Sequence, residues 1–86
     1  MSETRCWLVE REYGTKGLVT LVYATPDGER QQTSQRSSAM LRNKAVTAAV
    51  DVADEDLEPV RDDADRERYA REAARMRDQY DPEDEL

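Results

Sequence analysis

Apolar residues are concentrated in one stretch, residues 17–25, with the sequence GLVTLVYAT. A run rich in β-branched and aromatic residues, bounded by glycine on one side and by Pro26-Asp27-Gly28 on the other, predicts a β-strand. A strand that is apolar on both faces belongs at the centre of a sheet. One face carries Leu18, Val22 and Ala24, and the other carries Val19, Leu21 and Tyr23.

A second strand is predicted over residues 4–13, in which Trp7 and Val9 share one face and Cys6 and Leu8 share the other. The turn at residues 14–17 is bracketed by glycines and predicts a hairpin between the two strands. We align Val9 with Val22 to set the register. One face then combines Trp7, Val9 and Tyr13 with Leu18, Val22 and Ala24, and the other combines Cys6 and Leu8 with Leu21 and Tyr23.

The sequence Thr25-Pro-Asp-Gly28 predicts a type I turn that closes a bulged hairpin, with Gly28 in the left-handed position. A third strand follows over about residues 29–34, and all its residues are polar. A polar strand belongs at the edge of a sheet. The three strands therefore form an antiparallel meander in the order 1-2-3.

Two helices are predicted after the strands. Residues 39–50 carry apolar groups near helical period, and residues 63–80 carry a narrow apolar seam behind a cap at Asp63. The fold class is therefore α+β, a three-stranded β-meander followed by two helices (βββαα). Residues 1–80 form one small domain, and residues 81–86 form an acidic C-terminal tail that is frayed.

The composition is acidic and poor in lysine. Twenty Asp and Glu residues stand against 13 basic residues, the net charge is −7, and only Lys16 and Lys44 are lysines. In this the chain resembles the small acidic, functionally unassigned proteins of halophilic archaea, a resemblance of composition over the whole chain. It implies a protein that works in molar salt, where the Debye length is about 3 Å and carboxylates repel one another little.

Cys6 is the only cysteine, and there is no histidine. A single cysteine indicates a reducing cytoplasm or a free thiol, and we expect a cytoplasmic location. The absence of histidine argues against zinc and against the commonest general base. No apolar run reaches the roughly 20 residues of a membrane helix, and no signal peptide is recognised. We expect no metal, no cofactor and no membrane partner, and the sequence favours a role other than catalysis.

The charge is unevenly distributed: residues 1–50 carry a net charge of +2 and residues 51–86 one of −9. No acidic residue occurs over residues 30–50, so this stretch is a candidate contact surface for an anion or a nucleic acid. The alternative is that its basic groups pair with the acidic C-terminal part of the chain or of a second copy. The candidate contact residues are Arg30, Arg36, Arg42 and Lys44.

The sheet offers a second candidate surface. If the helices leave one apolar face uncovered, a two-fold homodimer is the commonest way to bury it. The sequence therefore predicts a small protein-interaction module that forms a homodimer, with a nucleic-acid-binding accessory protein acting through residues 30–44 as the alternative. The candidate dimer contacts are Cys6, Trp7, Leu8, Val9, Leu21 and Tyr23.

Overall fold

The structure is a computed structural model that describes residues 2–37, 39 and 45–86. Within these residues, five strands form one antiparallel sheet in the order β4-β1-β2-β3-β5, and an α-helix follows them. The strands are β1 (Glu3–Tyr13), β2 (Leu18–Ala24), β3 (Arg30–Ser37), β4 (Ala49–Ala53) and β5 (Glu58–Pro59), and the helix is α1 (Asp63–Gln79).

The predicted βββαα fold is wrong, because the sheet has five strands and the helix predicted over residues 39–50 is not formed at its C-terminal end. Residues 49–53 form β4, which pairs with β1 from Glu3↔Ala53 to Trp7↔Ala49. Residues 40–44 of that predicted helix lie outside the described residues. The helix predicted over residues 63–80 is confirmed as α1, although its cap is Asp62, whose carboxylate accepts a hydrogen bond from the Ala64 N–H.

The meander order β1-β2-β3 is confirmed, and so is part of the predicted register. Trp7 pairs with Ala24 and Leu8 with Tyr23, but a β-bulge between Leu8 and Glu10 shifts the pairing that follows. The bulge adds one residue to β1. Val9 therefore has no partner in β2, and Tyr13 pairs with Val19 on the opposite face from the one predicted.

The turn between β2 and β3 forms as predicted. The Gly28 N–H donates to the Thr25 carbonyl at 2.8 Å, and Gly28 has a φ of +73°. Asp27 fixes the turn with its carboxylate, which accepts hydrogen bonds from the Thr25 hydroxyl at 2.6 Å and from the Glu29 N–H at 2.9 Å. The hydrogen bond from Thr25 is the main reason that the pKa of Asp27 is lowered, and the one from Glu29 adds to it.

The sheet is strongly curled, because a short connection joins its two edge strands. Between Ala53 in β4 and Glu58 in β5 the chain makes a 3₁₀ turn, Asp54–Asp56. Such a segment reaches roughly 13 Å at about 2.0 Å per residue in the turn and at most about 3.6 Å elsewhere. In a flat sheet the same strands would stand roughly 19 Å apart, at about 4.8 Å per strand spacing. The sheet is therefore rolled toward a barrel.

The two faces of the sheet have different covers. The helix covers one face, where Tyr69 packs with Val22 and Ala24, and Ala73 and Met76 pack in the larger apolar cluster that includes Trp7, the partner of Ala24. The other, inner face is enclosed by the curl of the sheet, and its side chains belong to the same larger cluster, which Val46 and Leu57 also join. The buried residues of the inner face are Cys6, Leu8, Val19, Leu21, Tyr23 and Val52.

The C-terminal tail, which the sequence analysis takes as frayed, lies along residues 46–49. The N–H groups of Ala48 and Ala49 donate to the carbonyls of Asp84 and Pro82, and the Leu86 N–H donates to Val46. The tail thus docks beside the start of β4 through these hydrogen bonds and one isolated bridge between Thr47 and Glu85. None of the described helices is long and apolar enough to cross a membrane.

Candidate binding cleft

A cleft of about 210 Å³ lies between β3 and β4, where the curled sheet does not close. This volume is below the roughly 300–1,000 Å³ of pockets that hold drug-sized ligands. Strands β3 and β4 border the cleft on its two long sides. Its lining residues are Tyr23, Gln32, Ser34, Arg36, Val50, Asp51, Val52, Ala53 and Asp56.

The outer edge of β3 is open along most of its length. The Thr25 N–H donates to the Arg30 carbonyl, so the even-numbered residues of β3 bond to β2 and the odd-numbered ones point their backbone groups away. Strand β5 pairs with only Arg30 and Gln31. In the part of the chain that the structure describes, the outward N–H and C=O groups of Thr33 and Gln35 have no partner.

The edge of β4 across the cleft is arranged in the same way. The Leu8 N–H donates to the Ala48 carbonyl and the Asp54 N–H to the Ser2 carbonyl, so the odd-numbered residues of β4 point away from β1. Ala49 uses its outward N–H to bind the tail. Among the described residues nothing pairs with the outward backbone groups of Asp51 and Ala53. Both sides of the cleft therefore offer backbone hydrogen-bonding groups.

Charges of opposite sign line the two walls. Arg36 lies on the β3 side, and Asp51 and Asp56 lie on the other. Asp51 is already paired, since its Oδ1 accepts from Arg5 Nε at 3.3 Å. Within the described residues Arg36 and Asp56 form no ion pair. A ligand in the cleft would therefore meet one free guanidinium and one free carboxylate.

Tyr23 lies on the central strand among the residues that line the cleft. Its hydroxyl donates to the Thr47 carbonyl at 2.9 Å, which ties β2 to the segment that precedes β4. Burial raises the pKa of Tyr23, so the phenol stays neutral at physiological pH. With its proton directed at Thr47, the hydroxyl oxygen retains lone pairs that can accept a hydrogen bond.

Comparison with known families shows that the chain fits the model of DUF7967, a family of unknown function, over residues 1–86. The chain belongs to this family. No curated protein and no solved structure matches it. Membership of DUF7967 does not by itself assign an activity to the chain.

Two of the four basic residues singled out from the sequence can be placed in this DUF7967 member. Arg30 and Arg36 both lie on β3, half-buried and on the inner face, because even-numbered residues share that face. Arg36 lines the cleft, whereas Arg30 lies where β5 covers the edge. Arg42 and Lys44 lie outside the described residues.

The residues expected at a dimer contact lie inside the single chain. Cys6, Trp7, Leu8, Leu21 and Tyr23 are all buried. Val9, at the bulge, is partly buried and packs against the buried group that includes Cys6 and Leu21 and against the one that includes Val22 and Ala24. The uncovered sheet face on which that expectation depended is therefore closed within one chain.

Of the polar residues that line the cleft, Arg36 was singled out from the sequence, whereas Gln32, Ser34, Asp51 and Asp56 were not. Gln32, Ser34 and Arg36 alternate along β3, and this period of two places them on one face. The same signal was present in Val50-Asp-Val52, a β-branched alternation that the alanine-rich helical pattern concealed. The acidic run 51–65 supplies Asp51 and Asp56 to the cleft wall, but no group of three potential metal ligands occurs among the described residues.

Proposed function

We propose that this protein is a small protein-interaction module that binds an extended segment of a partner protein in the cleft between β3 and β4. The observation that carries the proposal is the pair of open strand edges, Thr33 and Gln35 on one side and Asp51 and Ala53 on the other. In strand addition, main-chain hydrogen bonds supply affinity and alternate side chains supply specificity. The cleft offers groups for both.

The chain's own tail already uses one outward backbone group at the start of β4. Residues 81–84 form a turn in which the Asp84 N–H donates to the Asp81 carbonyl, and the Ala49 N–H donates to the Pro82 carbonyl of this turn. The outward edge of β4 is thus accessible to hydrogen bonds from another segment. Asp51 and Ala53 continue the same edge into the cleft, where the places for hydrogen bonds are vacant among the described residues.

The high-salt adaptation implied by the composition forms part of the proposal. All 20 carboxylates lie in the described part of the chain, and none of them is buried. At a low salt concentration of about 0.01 M the Debye length is about 30 Å, so such charges repel one another across the whole molecule. Molar salt reduces the Debye length to about 3 Å. We propose that the protein works in a cytoplasm of high salt, where strand addition by neutral backbone groups is little screened.

Nucleic-acid binding through residues 30–44 is the alternative, and the geometry favours it less. Arg30 and Arg36 share a face but stand roughly 20 Å apart at about 3.3 Å per residue, and β5 lies beside Arg30. Asp51 and Asp56 line the same cleft as Arg36, and they would repel phosphate. Molar salt would further weaken any phosphate contact.

A peptide selection tests the proposal. A display library of random octapeptides is selected in molar KCl on the immobilised protein, and enriched peptides are synthesised and measured by fluorescence anisotropy. The Gln35→Pro variant removes one outward N–H and leaves the bonds to β2 in place, and Gln35→Ala is the matched control that keeps the N–H.

We expect enriched peptides to bind the parent and Gln35→Ala with equal affinity. Their affinity for Gln35→Pro should be about fivefold lower or more, because a net hydrogen bond contributes about 1 kcal/mol. Retained helicity of Gln35→Pro by circular dichroism shows that the fold survives. If the selection enriches no peptide, or if the enriched peptides bind Gln35→Pro as tightly as the parent, the proposal is wrong.

A further inference from the structure

We infer that the cleft selects partner segments that place a carboxylate opposite Arg36, an inference that rests on the proposed function. Arg36 is the half-buried cation on the β3 wall, and it forms no ion pair with any described residue. An unpaired guanidinium at the border of a cleft carries five N–H donors in a fork that matches a carboxylate. An Asp or Glu side chain of the partner would form an ion pair with this guanidinium.

The strand register fixes where that carboxylate lies in the partner. The side chains of Gln32, Ser34 and Arg36 project from the same face of β3 at every second residue. In a segment antiparallel to β3, the residue opposite Arg36 comes first, and the residues opposite Ser34 and Gln32 follow two and four positions later. The expected motif is therefore an acidic residue followed at two-residue spacing by residues that suit a hydroxyl and an amide.

The opposite wall sets the charge of the segment's other side. Asp56 is a carboxylate in the cleft without an ion-pair partner among the described residues, and Asp51 beside it is held by Arg5 at 3.3 Å. A uniformly acidic segment would be repelled by this wall, and a uniformly basic one by Arg36. The cleft therefore suits a segment with an acidic residue on the side that faces β3 and neutral or basic residues on the side that faces β4.

Charge reversal tests the inference. The octapeptide selection is repeated on Arg36→Gln and Arg36→Glu, with Arg30→Gln as the matched control, because Arg30 is an arginine of the same strand face that β5 separates from the cleft. We expect Asp or Glu to dominate one peptide position with the parent and with Arg30→Gln. That preference should disappear with Arg36→Gln and change to Lys or Arg with Arg36→Glu.

Synthetic peptides quantify the effect. Replacing the acidic residue by its amide should weaken binding to the parent about fivefold and leave binding to Arg36→Gln unchanged, as expected for a partly exposed ion pair worth about 1 kcal/mol. The inference is wrong if peptides that are sensitive to Gln35→Pro show no acidic position, and the proposed function then still stands. If no peptide is enriched at all, both fail.

A single-stranded oligothymidylate of 12 nucleotides completes the test. We expect no binding to the parent in molar KCl and none that depends on Arg36 at lower salt. Oligonucleotide binding that Arg36→Gln abolishes and Gln35→Pro leaves unchanged would show that Arg36 serves phosphate, and it would overturn the inference.

Discussion

Gly28 in the turn between β2 and β3 lies directly against Ala70 of α1. A Cβ placed on Gly28 would stand 2.8 Å from the Ala70 nitrogen. The turn and the helix are thus in backbone contact, and this contact orients α1 across the sheet. Only glycine allows it, because the same residue has a φ of +73°.

Replacing Gly28 by alanine should therefore destabilise the fold. The substitution combines the cost of a positive φ with overpacking against the helix backbone, and we expect a loss of roughly 2 to 4 kcal/mol in the free energy of unfolding. Gly14→Ala is the control, since its Cβ would stand 3.4 Å from the Leu18 carbonyl oxygen and its φ is −92°. Urea unfolding in molar KCl measures both. Equal stability of the two variants would show that the turn does not pack on α1.

The elements that the sequence predicted correctly are those encoded by local pattern. The turn at residues 25–28 forms because proline, aspartate and glycine each favour their own position in it, and α1 forms because its apolar seam has helical period. Strand β4 was missed because Ala48 and Ala49 fit a helical stripe as well as a strand. In the structure their backbone pairs with β1 or the tail.

The cleft could not be predicted, because no local pattern contains it. Strand β5 is only Glu58–Pro59, and these residues are strand only through their pairing with Arg30 and Gln31. The gap beside β3 follows from how soon that pairing ends and from the 3₁₀ turn that curls the sheet. Both are tertiary features. Arg36 could therefore be named from the sequence, whereas the open strand edge beside it could not.

Cys6 should be unreactive in the folded protein. Burial is the main reason that its pKa is raised from 9.0 to about 11, so at pH 8 the nucleophilic thiolate is almost absent, and the side chain is 0% exposed. Reaction with a chromogenic disulfide at pH 8 should be at least about tenfold slower in molar KCl than in denaturant. Equal rates in the two conditions would show that the thiol is accessible, and the core described here would then be wrong.

The fold should depend on salt. At about 0.1 M salt the Debye length is about 10 Å, and the net charge of −7 then acts across a molecule whose carboxylates are all at least partly exposed. We expect helicity and melting temperature to fall as KCl is lowered from molar concentration to 0.1 M, as followed by circular dichroism. Constant values across the series would remove the high-salt interpretation.

Self-association, predicted from the sequence, is decided by a mass measurement. A homodimer would give about twice the 9.9 kDa mass of the chain in light scattering. Because the proposed contacts Cys6 and Leu21 are buried within one chain, we now expect the monomer mass at tens of micromolar in molar KCl. A dimer that persists on dilution would require another surface, and Gln35→Pro would show whether that surface is the edge of β3.

Amide hydrogen exchange along β3, followed by NMR in molar KCl, tests the central claim most directly. The open edge requires an alternation: the N–H groups of Gln32 and Ser34 bond to β2 and should exchange slowly, whereas those of Thr33 and Gln35 point into the cleft and should exchange fast. Addition of a selected peptide should then slow exchange at Thr33 and Gln35 and leave exchange at Gln32 and Ser34 unchanged. Uniform protection of all four amides in the free protein would show that the edge is already occupied, and it would contradict the account.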